Sequence, residues 1–289
     1  MKNYTFFSTG DDLLSVIATE LEKEGNLVKE TSILPTAWTN IVYNVLCSNG
    51  DRYIFRFPRN QFFSKKILVD AEACRFLKQN TVFNYADITL CFDGTRRPYT
   101  KHKRIDGIDL SERFNLLNDD AKDKISKNIA NFLSDVHGIK ISIEHPKILQ
   151  TKTSDFLDEL AKVDGGFYDY HFHDVVKMEE KKELVYVFGD LNAKNILLDE
   201  KDEIKCFLDY TFFGVSSRYT DLSRMNSLVD REFLDKILFY YEKNSGFKID
   251  LDIFNKYLKC WEYVEQRYID YMKNYHKDVN LSMYHNDTK

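Results

Sequence analysis

The apolar periodicity of the chain shifts near Gly107 from mainly strand-like to mainly helical, so the fold joins a strand-rich first third to a helix-rich remainder. Before that glycine, Ile41–Cys47 and Arg52–Phe57 are β-branched and aromatic runs flanking Ser48-Asn49-Gly50-Asp51. Asn and Gly both tolerate positive φ, so this spacing predicts a tight hairpin. Ile88–Phe92 and Tyr99–Ile105 read as further strands, with Asp106-Gly107 as the break. Two helical stripes interrupt them. Residues 12–22 carry Leu13, Leu14, Ile17 and Leu21, with Ser8 or Thr9 available as a cap, and residues 64–78 carry Ile67, Ala71, Cys74 and Leu77. Beyond Gly107, Ala121, Ile125, Ile129, Phe132, Leu133 and Val136 keep one apolar face as far as His137-Gly138. Short strands follow over Leu184–Phe188, Asn195–Asp199 and Ile204–Leu208, and helices resume after Asp221. The polar tail beyond Asp278 is expected to fray.

Composition narrows the function classes. With 43% hydrophobic and 30% charged residues and only 11 Gly and 4 Pro, collagen-like, low-complexity and wholly disordered readings fall away. Lys and Arg number 41 against 46 Asp and Glu, a net charge of −5, which argues against binding nucleic acid and for a neutral or cationic small-molecule partner. The longest uncharged stretch, Thr31–Gly50, contains Pro35, Asn40, Asn44, Ser48 and Asn49, so no membrane span is read there. No basic segment followed by an apolar run opens the chain; no secretory signal is read, and a cytoplasmic location is expected. Cys47, Cys74, Cys91, Cys206 and Cys260 lack any C-x-x-C, as expected of reduced, mostly buried thiols. His171-x-His173 is a lone metal hint without a third ligand nearby. A monomer or weak dimer is expected.

The densest chemical signal is Phe188-Gly189-Asp190-Leu191-Asn192-Ala193-Lys194-Asn195-Ile196-Leu197-Leu198, followed by Cys206-Phe207-Leu208-Asp209-Tyr210. An acid, an amide five residues on, an apolar strand and a second acid fourteen residues past the amide put three oxygen-bearing side chains at adjoining strand ends. Phosphoryl transfer uses such a set: one carboxylate orients the attacking hydroxyl and takes its proton, while an amide oxygen and a second carboxylate hold Mg²⁺ against the phosphates. On that logic Asp190 is the candidate base, and Asn195 and Asp209 are candidate metal ligands. The plainer alternative is a polar loop with two hairpin-end acids. The first third counts against it, because Arg56 lies on a strand and Glu72 lies sixteen residues on, on the next helix, where it could pair with and orient Arg56 against the α and β phosphates.

Several segments together resemble the aminoglycoside phosphotransferase family, in order and spacing most like the aminoglycoside 2''-phosphotransferases. They are Leu34-Pro35-Thr36-Ala37-Trp38-Thr39-Asn40-Ile41-Val42-Tyr43, Ile54-Phe55-Arg56-Phe57-Pro58, Ile105-Asp106-Gly107, Phe132-Leu133-Ser134-Asp135-Val136-His137-Gly138, Gly189-Asp190 to Asn195, and Leu208-Asp209-Tyr210. The resemblance covers most of the chain and implies an α+β, bilobed protein-kinase-like fold. A mainly β N-lobe with one key helix would span 1–102, a hinge 103–107, and a mainly helical C-lobe with a substrate-binding region 108–289. The resemblance also implies ATP or GTP as donor and Mg²⁺ as cofactor, with nucleotide contacts at Thr39, Asn40, Arg56, Glu72, Lys101 and Lys103. Pro35 to Asn40 lacks the glycine usual in the family's phosphate loop, so backbone cover of the phosphates is expected either to be looser or to rely on the Thr39 and Asn40 side chains. Arg56 stands where Lys is often found, and the two cations are not equivalent. Phe188 stands where His commonly precedes Gly-Asp, so packing would hold the catalytic loop. Ser217-Arg218-Tyr219-Thr220-Asp221 replaces Asp-Pro-x-x-Asp, and Asp221 is expected to cap a helix and brace that loop.

A polycationic acceptor calls for carboxylates. Residues 151–175 hold Lys152 and Lys162 against six acids, including Asp155, Asp158 and Glu159, and Glu262 and Glu265 lie on the late helix beside Trp261. A solvated charged face is the competing reading, and the stripe Trp261, Tyr268, Tyr271 reads as core. The leading expectation is a kinase that transfers the γ-phosphoryl group of ATP or GTP to a hydroxyl of an aminoglycoside or similar amine-bearing molecule. Its rivals are a metabolic kinase for choline or an amino sugar, and a catalytically silent nucleotide- or partner-binding module.

Overall fold

The computed structural model describes residues 6–7, 11–34, 39–155, 157–158, 170–225 and 230–275. Two compact units emerge, one formed by Met1–Ala71, Asp87–Ile105 and Gln266–Lys289 and the other by Glu72–Ala86 and Asp106–Glu265.

The first unit holds α1 (Leu13–Glu22), β1 (Val28–Ile33), β2 (Asn40–Cys47), β3 (Arg52–Pro58), β4 (Thr89–Phe92), β5 (Pro98–Lys103) and the first half of α2 (Gln61–Asn80). Its strands form one antiparallel sheet in the order β1-β2-β3-β5-β4. The Asn49-Gly50 turn joins β2 to β3 with Gly50 at φ +90°, and Leu46 pairs with Arg52. Alternate residues of the strands, Val45, Phe55, Phe57 and Tyr99 among them, pack with Leu13, Ile17 and Leu21 of α1. The Phe57 and Tyr99 rings stack at 5.1 Å. Asp12 caps α1 by accepting the Ser15 N–H at 3.0 Å. That corrects the expected cap from Ser8 or Thr9, two residues outside the described ones. Strand β1 gives no apolar signal in the sequence because as an edge strand it leaves most of its side chains in water.

The second unit contains β6 (Ile108–Asp109), α3 (Leu110–Arg113), α4 (Asp119–Gly138), α5 (Tyr170–Lys182), β7 (Val185–Val187), β8 (Ile196–Leu198) and β9 (Ile204–Phe207). It continues with β10 (Gly214–Ser216), α6 (Tyr219–Arg224), α7 (Arg231–Ser245) and most of α8 (Leu251–Tyr275). Helix α4 starts on Asn118, whose side chain accepts the Ala121 N–H, and buries Ile125, Ile129, Phe132, Leu133 and Val136. It packs along α7, where Tyr240 Oη donates to Asp123 and Asn244 Nδ2 donates to Asn131 Oδ1 at 2.6 Å. Asp230 caps α7 at its start, and Gly246 ends it in the left-handed conformation. Strands β6, β8 and β9 form one small sheet, and β7 pairs with β10. Under the first lies Phe132, stacked on Phe207 at 3.8 Å and edge-on to Phe188 at 5.5 Å. All five cysteines are free, and four are buried. Among the described residues no helix is long and apolar enough to cross a membrane.

Candidate active site

The candidate base Asp190 follows β7 on the loop that leads to β8. Gly189 before it holds φ +87°, and a Cβ there would lie 2.1 Å from the Phe212 carbonyl oxygen, so only glycine fits. Phe188 and Gly189 donate their backbone N–H groups to Asp221 Oδ2 and Oδ1, each at 2.7 Å. Asp221 is fully buried, and its Oδ2 also meets His137 Nε2 at 3.1 Å, while His137 Nδ1 meets Tyr241 Oη at 2.7 Å. Asp221 braces the loop from within the first turn of α6, whose cap position is Arg218, so the expected capping role is corrected. One turn further along α6, Arg224 Nη2 donates to Asp190 Oδ1, and its guanidinium lies 4.7 Å from the centre of the Trp261 ring. Residues three apart share a helix face, so this single turn clamps three successive loop residues: two by their amides, the third by its carboxylate. Phe188 is buried edge-on against Phe132 and Tyr210, both at 5.5 Å, and the imidazole near the loop comes instead from α4.

Asn195 donates Nδ2 to the Asp190 carbonyl at 2.9 Å and, at 3.4 Å, to Asp190 Oδ2. The planar amide therefore turns its Oδ1 away from the base. The Asn195 carbonyl accepts the Leu208 N–H at 2.8 Å, which draws Asp209 to the same strand end. Asp209 stands at φ +64°, a conformation L residues other than Asn and Asp rarely adopt and one that collects at functional sites. It also accepts the Thr211 N–H at 3.3 Å. An amide oxygen and a carboxylate are hard donors that suit Mg²⁺, whose shell is otherwise filled by phosphate oxygens and water. Among the described residues no group of three or more His, Cys, Asp or Glu side chains converges on one point. His173 meets Asp158 at 2.8 Å, and the His171 side chain lies outside the described ones.

In the first unit Arg56 Nη1 donates to Asp70 Oδ2 at 2.6 Å, and both residues are buried. This corrects the expected partner. Glu72 instead bonds Arg75 at 2.5 Å near the surface, because two residues along a helix turn a side chain roughly 200° about the axis. Thr39 and Asn40 bond each other, Asn40 Nδ2 to Thr39 Oγ1 at 2.8 Å, and Asn40 Oδ1 is buried with no hydrogen-bond partner among the described residues. The preceding residues 35–38 lie outside the described ones. Lys101 is buried and paired with Glu20 at 2.7 Å and Glu24 at 2.6 Å, and Lys103 bonds Asp51 at 3.1 Å. Both side chains are thus engaged within this unit. Burial pushes the Glu20 carboxyl up, but its bonds to Lys101 and Lys23 outweigh that and bring it from 4.5 to about 2.

Of the candidate acceptor acids, Asp155 and Glu262 are exposed and Asp158 is half-buried. Glu159 lies outside the described residues, and for Glu265 the backbone on α8 is described without its side chain. Trp261 is buried, as core was expected to be, yet its face is covered by Arg224. Arg224 and Asp70 are the site residues that spacing alone did not indicate. For Asp70 the signal was present, an acid on the apolar face of a helix; for Arg224 there was none.

The sheet unit and the helical unit define a protein-kinase-like fold. The sequence profile of the phosphotransferase enzyme family matches residues 31–250, and the chain belongs to that family. Among solved structures, an APH(2'') enzyme in complex with GDP and kanamycin is 16% identical and superposes with a TM-score of 0.68 over 91% of this chain and 93% of that one. A macrolide 2'-phosphotransferase type I is 15% identical, with a TM-score of 0.64 over 97% and 96% of the two chains. ADP-bound APH(2'')-Ib is 16% identical, with a TM-score of 0.63 over 93% and 95%. No curated protein matches the chain by sequence.

Proposed function

We propose that this chain transfers the γ-phosphoryl group of ATP or GTP to a hydroxyl of an aminoglycoside or a similar amine-bearing small molecule. The observation that carries the reading is Asp190, a carboxylate held on both oxygens by Asn195 and Arg224 on a loop fixed by Asp221. Asp190 takes the proton of the acceptor hydroxyl as its oxygen bonds to the γ-phosphorus; the bond to the bridging oxygen breaks, and nucleoside diphosphate leaves. Mg²⁺, bound by Asn195 Oδ1 and Asp209, would neutralise charge on the phosphates. Arg56, fixed by Asp70, supplies a rigid cation for phosphate oxygens. Asp155, Asp158 and Glu262, with Glu159 and Glu265, are proposed to receive the acceptor's ammonium groups. The named ligands of matching structures, GDP, ADP and kanamycin, support a nucleotide donor and a small polyamine acceptor.

The test is mass-spectrometric detection of a phosphorylated product after incubation with Mg²⁺ and ATP or GTP. The acceptor panel comprises aminoglycosides, macrolides, choline and amino sugars. A phosphorylated aminoglycoside is the expected result. Phosphorylation of choline or an amino sugar alone would replace it with the metabolic reading, and no product with bound nucleotide would favour the silent module.

A further inference from the structure

The carboxylate assigned as base already carries a cation. Arg224 Nη2 donates to Asp190 Oδ1, and the two side chains are only 18% and 16% exposed. The guanidinium is not a solvated arm that swings away freely. Its planar face rests 4.7 Å from the centre of the buried Trp261 ring, and its helix is tied to the same loop through Asp221. An acceptor whose hydroxyl reaches Asp190 therefore meets, beside its reacting oxygen, a guanidinium that offsets the attraction the carboxylate would otherwise exert on an ammonium group. Like charges brought together in a partly desolvated site repel far more than in water.

We propose that Arg224 is a specificity-determining residue that selects against acceptors carrying an ammonium group beside the reacting hydroxyl. It favours acceptors that are neutral at that point and carry their positive charge elsewhere. This inference rests on the reading above that the acceptor hydroxyl is delivered to Asp190.

The experiment titrates kanamycin and its fully N-acetylated, uncharged derivative into the full chain by calorimetry, with Mg²⁺ and a non-hydrolysable ATP analogue present. Wild type is compared with Arg224→Gln and Arg224→Lys, each first shown to be folded by circular dichroism. In Arg224→Gln, kanamycin should bind about tenfold more tightly relative to the acetylated compound, as expected for removing one partly screened like charge. Arg224→Lys, which keeps the charge and loses the planar fork, should stay near the wild-type ratio. If both ligands shift by one common factor, or if Arg224→Lys behaves as Arg224→Gln, the charge of Arg224 does not select and the proposal is overturned. If kanamycin fails to bind even Arg224→Gln while nucleotide binds, the aminoglycoside reading falls along with it; an unchanged ratio with tight binding removes the Arg224 proposal alone.

Discussion

Asp70 and Glu72 sit two residues apart on one helix, and only Asp70 meets Arg56. The choice between them is made by helix geometry, since Asp70 shares its face with the buried Ile67 and Cys74. Replacing Asp70 by Asn leaves a buried guanidinium short of its carboxylate and should lower unfolding free energy by about 3 kcal/mol in urea denaturation. Glu72→Gln, at a half-exposed surface pair, should change it by less than about 0.5 kcal/mol. Equal effects would contradict the assignment. At Gly189 the strain is steric, with a Cβ driven into the Phe212 carbonyl at 2.1 Å, so Gly189→Ala should destabilise by about 4 kcal/mol or more. A melting temperature close to that of wild type would show that the loop relaxes instead. That Asp190, Asn195 and Asp209 stand close together was legible in the sequence because a short hairpin fixes the spacing of the last two. Arg224 was not, because its contact with Asp190 spans 34 residues and depends on how α6 docks.

Among elements, those with a strong period were legible to within a few residues, as α2 and α4 and the Asn-Gly hairpin illustrate. Strand β1 was not, because an edge strand needs little apolar surface. Beside the apolar packing of Tyr99, β5 is joined to α1 by an ionic link, with Lys101 between Glu20 and Glu24 just past the helix end. Glu20 is held at about 2 against an ordinary 4.5, so the folded state binds its proton less readily than the unfolded chain does. Its stabilising contribution is complete above pH 4.5 and is lost as pH falls towards about 2. Chemical denaturation across that window should show stability falling with acid in wild type, and a shallower fall in Glu20→Gln. Identical slopes would mean that the Lys101 pairing carries no linkage.

For the whole molecule, ligand binding reports the assignment of the metal pair. A nucleotide that binds only the folded chain raises its melting temperature by mass action, by about 2.7 kcal/mol of stabilisation at a hundredfold excess over Kd. With ADP, the added shift produced by Mg²⁺ should be present in wild type and largely lost in Asp209→Asn; an undiminished Mg²⁺ effect would move the metal elsewhere. The central claim, that Asp190 is the base of a phosphotransferase, is tested most directly by acceptor-dependent release of nucleoside diphosphate. Wild type and Asp190→Asn are compared, with nucleotide affinity measured on the same preparations. The predicted result is a fall in acceptor-dependent release of about 10³-fold with affinity kept within about twofold. Release that survives the substitution unchanged would contradict the claim.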